Sequence, residues 1–133
     1  MSTTFRLLDR VYKHLNCATV TTTIDGRIYR RKRPLNSAKR DIVITPLALP
    51  DSDGMDVQPG TVFINSFIKN DEDGQIPEAT LKATTDAVIS RIAAWPWCPS
   101  TYLHLEIAGE ATYDDPENPG WSYSSVRVNA ITE

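Results

Sequence analysis

Cys98, Cys17, His14 and His104 are the side chains of this 133-residue chain best suited to nucleophilic or metal chemistry, and their spacing supports neither. A catalytic thiol needs a base, and the base needs a group to orient it. Cys98 stands between Trp97 and Pro99 with no histidine beside it in sequence, and its aromatic neighbours argue for packing. A metal centre needs His, Cys, Asp or Glu converging at ligand spacing. The two histidines and two cysteines are scattered singly, without a CxxC or HxxxH pair. Asp51, Asp53 and Asp56 superficially match a calcium loop but lack the closing glutamate and flanking helices of an EF-hand. Asp71, Glu72 and Asp73 fare no better, and both stretches read as solvated acidic loops. Neither GxGxxG nor GxxxxGK[ST] occurs, so no nucleotide-binding loop is expected. The reading is a protein without a catalytic centre, metal or cofactor.

The one concentration of charge is basic: Arg27, Arg30, Arg31, Lys32 and Arg33, followed by Lys39 and Arg40. Three roles fit such a run. Alternation along a strand would send these residues to both faces, where they guard an exposed sheet edge against unwanted pairing. They could contact an acidic protein surface, including another copy of this chain through Asp51, Asp53, Asp56 or Asp71 to Asp73. They could also neutralise phosphates of a nucleic acid, with the salt dependence that entails.

Composition narrows the class. With 41% hydrophobic and 23% charged residues, a chain of this length fits a single domain, residues 1–133, burying roughly two thirds of its unfolded surface. A net charge of −3 and a pI near 5.3 argue against a surface wholly devoted to nucleic acid. No apolar run approaches the roughly 18 residues of a membrane span, and MSTTFRLLDR lacks the apolar core of a signal peptide. Synthesis in the cytoplasm is expected, where Cys17 and Cys98 would remain thiols.

The elements that must position these residues follow from periodicity. Phe5, Leu8, Val11, Tyr12 and Leu15 recur at helical spacing and predict a helix from Thr4 to Asn16, capped by Thr3 or Thr4. ATVTTTI and RIYRRKR flank Asp25-Gly26, which predicts a hairpin over Ala18 to Arg33. DIVITPLAL, Asp41 to Leu49, reads as a buried strand with an edge, bulge or early end at Pro46. PDSDGMDVQPG is loop. TVFINSFIK, Thr61 to Lys69, is nearly continuous apolar and is the candidate central strand. From Glu78 to Trp95, Leu81, Thr85, Val88, Ile89, Ile92 and Trp95 form one stripe of a helix of about 27 Å, opened by Pro77 and closed by Pro96. Leu103, Leu105 and Ile107 alternate with His104 and Glu106 in the next strand, with a bulge at Gly109. The final strand points Val126, Val128 and Ala130 inward and Tyr123, Arg127 and Asn129 outward. The order helix, hairpin, two strands, long helix, two strands predicts an α+β fold: a mainly antiparallel sheet with two helices packed on one face.

Taken in order, these segments resemble the tail-completion proteins of long-tailed phages, also called tail terminators or head-tail joining components. The resemblance lies in layout over nearly the whole chain: FRLLDRVYKHL; the Gly26 to Tyr29 step followed by a proline; DIVITPLAL; TVFINSFIK leading into the long helix; a strand ending in a glycine; an Asp-Asp turn; and WSYSSVRVNAI. It implies a structural role without a cofactor in the virion, at the tail or head-tail junction. Such a protein would be a ring, commonly a hexamer, that caps the tail tube and contacts tail-tube and head-connector proteins. The basic hairpin and the acidic loops would suit head-to-tail contacts around that ring. Reversing the charge of Arg30 to Arg33 is then expected to impair assembly and leave the monomer folded.

Overall fold

The computed structural model describes residues 4–47, 58–95 and 103–132. Among these residues three helices and five strands follow one another as α1 (Thr4–Leu15), α2 (Ala18–Thr21), β1 (Ile28–Arg30), β2 (Ile42–Pro46), β3 (Gln58–Lys69), α3 (Glu78–Ala93), β4 (Leu103–Asp114) and β5 (Trp121–Thr132). The strands form one sheet in the order β1-β2-β3-β5-β4, so β3 is central, as its nearly continuous apolar run implies. All pairs are antiparallel except β1 with β2, which is parallel. The fold is α+β, as expected.

The core lies between the helices and one sheet face. Leu8, Val11 and Leu15 of α1 and Val88 and Ile92 of α3 meet Ile42 and Ile44 of β2, Val62 and Ile64 of β3, Leu103 and Leu105 of β4, and Val126, Val128 and Ala130 of β5. Removing that apolar surface from water is what holds helices and sheet together. The alternation expected in β4 and β5 is observed, and a register shift between Ile107 and Gly109 places the bulge where the glycine suggested it. β2 ends at Pro46, although the Leu47 N–H still donates to the Thr61 carbonyl of β3 at 2.9 Å, so the missing proline N–H falls on the side of the strand away from β3. β3 begins three residues earlier than its apolar run, because Gln58 to Gly60 still pair with Thr132 to Ala130 of β5.

Two expectations are corrected. In α1, Phe5 does not join the buried stripe; it is 74% exposed and Leu7 takes the inward position. The larger correction is the hairpin over Ala18 to Arg33, which does not form. Ala18–Thr21 is a turn of helix, and the hydroxyls of Thr21, Thr22 and Thr23 donate to the carbonyls of Cys17, Ala18 and Val20. Those local bonds, together with burial of Val20, outweigh the β preference of threonine. Asp25-Gly26 is not a hairpin turn. Gly26 lies against the start of β2, its N–H donating to the Arg40 carbonyl at 3.1 Å; a Cβ there would sit 1.9 Å from Asp41 Oδ1. Glycine is required by close approach, not by a positive φ.

Candidate partner-binding surfaces

The basic run does not alternate along a strand. β1 ends at Arg30, Arg31 takes a left-handed backbone conformation (φ 74°), and the chain turns across the sheet face opposite the helices. The run is thereby divided. Arg27, Arg30, Arg31 and Lys32 are exposed. Arg30 stacks over the Tyr12 ring at 4.8 Å and pairs with Asp9 at 3.1 Å; Arg31 stacks over Phe5 at 4.7 Å and donates to the Thr4 hydroxyl at 3.0 Å. These contacts pin two guanidiniums to α1. The hydrogen bond from Lys13, with added attraction from Arg30, holds the Asp9 carboxyl below its ordinary 3.8.

Arg33 behaves differently. Its side chain is 8% exposed, with the guanidinium 4.2 Å from the Phe67 ring centroid and 4.9 Å from that of Trp121. Two buried carboxylates flank it, Asp41 Oδ2 at 3.9 Å and Asp115 Oδ2 at 3.5 Å. Asp41 is held by the Arg27 N–H and the Ser37 hydroxyl, and Asp115 by the Glu117 N–H and the Asn118 amide. Arg33 is thus a rivet joining the Arg31–Lys39 crossing to β3 and to the β4–β5 turn. Reversing its charge would place a third carboxylate beside two buried ones and unfold the region, so the expectation that Arg30 to Arg33 can be reversed together on a folded monomer is corrected.

Beside the rivet, the open sheet face forms a cradle of about 660 Å³ lined in part by Leu35, Val43, Asn65, Phe67 and Tyr123. Arg33 Nη2 and Asn65 Oδ1 are buried there without a hydrogen-bond partner. Burial, with Tyr113 and Asp115 nearby, pushes the Tyr123 phenol above its ordinary value of 10.0. Leu35, on the turn closed by Ser37 N–H to the Pro34 carbonyl, is 94% exposed at the cradle rim. No sequence signal separated Arg33 from its neighbours in the run. A strand pattern cannot foresee where the strand stops, and its partners Asp41, Phe67, Asp115 and Trp121 come from four separate segments.

Of the acidic candidates, Asp51, Asp53 and Asp56 lie outside the described residues, as do Trp97 and Cys98. Asp71 builds its own turn, Oδ1 accepting from the Asp73 and Gln75 N–H groups at 2.9 Å, while Glu72 and Asp73 are exposed. Among the described residues the ion pairs of Arg30 and Arg33 go to Asp9, Asp41 and Asp115, and none joins the basic run to Asp71, Glu72 or Asp73. Among the described residues His14 contacts Arg91 and Trp95, and His104 lies 3.2 Å from Glu106. Cys17 is a half-buried free thiol. No three His, Cys, Asp or Glu among the described residues converge as a metal site would require. No described helix is long and apolar enough to cross a membrane.

No family model matches this chain, and no curated protein matches it. Among solved structures, it is similar to a chain in the virion of a native gene transfer agent (GTA) particle, with a TM-score of 0.68 and 16% identity over 92% of this chain and 91% of that one. At that identity the likeness is one of fold.

Proposed function

We propose that this chain is a structural protein of a phage or phage-like particle, a single α+β unit that forms a ring, caps the tail tube and joins it to the head. The observation that carries the reading is the fold it shares, nearly end to end, with a chain of a gene-transfer-agent virion. The segment layout set out above supports it independently of that likeness. So does the chemistry: the polar groups of the described residues are arranged as rivets and surface charge, not as a nucleophile with a base. In this role the partners are further copies of the chain, a hexamer by resemblance, together with tail-tube and head-connector proteins. The place of work is the tail or head-tail junction of the virion.

The alternative, a small nucleic-acid-associated protein using Arg27 to Arg33, loses Arg33 to the interior and keeps Arg27, Arg30, Arg31 and Lys32. Two measurements separate the readings. Light scattering after size exclusion, with electron microscopy of the peak, is expected to give a closed ring. Filter binding across a salt series is expected to give no steep slope, whereas phosphate contacts would produce one. A chain that stays monomeric at every concentration and binds nucleic acid with a steep salt dependence would overturn the proposal.

A further inference from the structure

The sign of the charge changes from one edge of the sheet to the other. Ten of the fourteen Lys and Arg residues, against two of the seventeen Asp and Glu, fall in residues 1–40. Those residues build α1, α2 and β1, so the positive charge gathers at the edge that β1 closes. At the opposite edge β4 carries Glu106, Glu110 and Asp114, all exposed, and neither Lys nor Arg. The order β1-β2-β3-β5-β4 separates the two sets as widely as one sheet allows.

Charges that merely guard an edge have no reason to differ in sign between edges, since lysines and carboxylates both discourage pairing. Opposite signs on opposite edges do something else. Each edge repels its own kind and attracts the other, which is the requirement of a head-to-tail contact that repeats in one direction and closes into a ring when the rotation permits. The basic edge is also prepared for docking. Arg30 and Arg31 are already held against Tyr12 and Phe5, so less side-chain freedom is lost when they meet a partner. Phe5, 74% exposed, and Tyr113, 52% exposed at the far end of β4, add apolar surface to the two edges.

We propose that the β1–α1 edge of one copy, through Arg27, Arg30, Arg31 and Lys32 with Phe5, docks on the β4 edge of the next copy, through Glu106, Glu110 and Asp114 with Tyr113. This deepens the ring reading above and rests on it. It moves the acidic half of the contact from the loops to a strand, a surface that exists only because β4 lies at the far edge of the sheet.

The test uses two variants of the whole chain, R27E/K32E and E106K/D114K, at positions whose side chains are exposed. Mass is measured by light scattering against concentration. Wild type is expected to assemble, and each variant alone to need about tenfold higher concentration or more, because like charges now face each other. An equimolar mixture of the two is expected to assemble again, since the carboxylates introduced on the basic edge of one variant then meet the lysines introduced on the β4 edge of the other, and the two unaltered edges still match. The quadruple variant, with the signs exchanged at those four positions, is expected to assemble by itself. Rescue by mixing cannot come from a misfolded chain. A wild-type ring that neither variant disturbs, or variants that fail alone and also fail when mixed, would overturn the edge contact while leaving the ring intact. A wild-type chain that is monomeric throughout would overturn the ring reading itself.

Discussion

His14 and Arg91 each donate a hydrogen bond to the other's backbone carbonyl, Nε2 to the Arg91 oxygen at 2.6 Å and Nε to the His14 oxygen at 2.8 Å. The two bonds tie the last turn of α1 to the last turn of α3 across 77 positions of sequence. Each places a basic side chain where terminal carbonyls lack a helical partner. The Trp95 ring packs edge-on against the imidazole at 4.6 Å and closes the joint.

This joint makes stability depend on pH. Burial holds the His14 imidazole below its ordinary 6.5, so the folded protein favours the neutral ring and the unfolded chain takes up the proton first. The contribution is fully present above 6.5 and is lost as pH falls from there through the folded value. Urea midpoints measured down through that window should fall, and the fall should be smaller in His14→Gln, which keeps a donor without titrating.

Arg33 is expected to behave as a core residue despite its charge. Arg33→Ala removes the group between Phe67 and Trp121 and leaves Asp41 and Asp115 without their cation. Breaking a buried pair in this way costs about 3–5 kcal/mol. Lys32→Ala, one position away and exposed, should stay within about 0.5 kcal/mol. Chemical denaturation of the two variants side by side checks the contrast, and equal effects would refute the rivet.

Gly26→Ala should destabilise by about 1–3 kcal/mol, the range for forcing volume into a packed site. The added carbon would meet Asp41 Oδ1 at 1.9 Å and the Arg40 carbonyl at 2.7 Å, and the latter is backbone that cannot swing away. Because Asp41 also sits by Arg33, the hydrogen-exchange protection of residues 26–42 should fall more than that of β5.

Thr85 tests a buried polar link between α3 and the sheet. Its hydroxyl lies 2.8 Å from the Leu81 carbonyl and 2.9 Å from Ser124 Oγ, and Ser124 in turn donates to Glu110 at 2.9 Å. Thr85→Val keeps the shape, loses the hydroxyl and should cost about 1 kcal/mol, read as a shift in denaturation midpoint with unchanged slope.

Much of this architecture was written in short-range pattern. The period of 3.6 in Leu81, Val88 and Ile92, and the period of 2 in Leu103 and Leu105 or Val126 and Val128, each report which side of an element faces inward, and all of these residues are buried. Pro46 and Gly109 marked a strand end and a bulge because such positions tolerate a missing N–H or a missing side chain better than the interior of a strand does. The Thr-rich stretch misled because β-branching is a weak preference, and three hydroxyl-to-carbonyl bonds within a few residues were enough to reverse it.

What the sequence determined by itself is therefore the helices, the long strands and their inward faces, since these follow from burying apolar side chains at fixed periods. Only the tertiary structure decided that Arg33 is interior while Arg31 is not, that Gly26 serves Asp41, and that basic and acidic groups stand on opposite sheet edges. Those outcomes depend on which distant segments become neighbours, and the energy of a charge is set by the dielectric and partners around it rather than by the residues beside it in the chain.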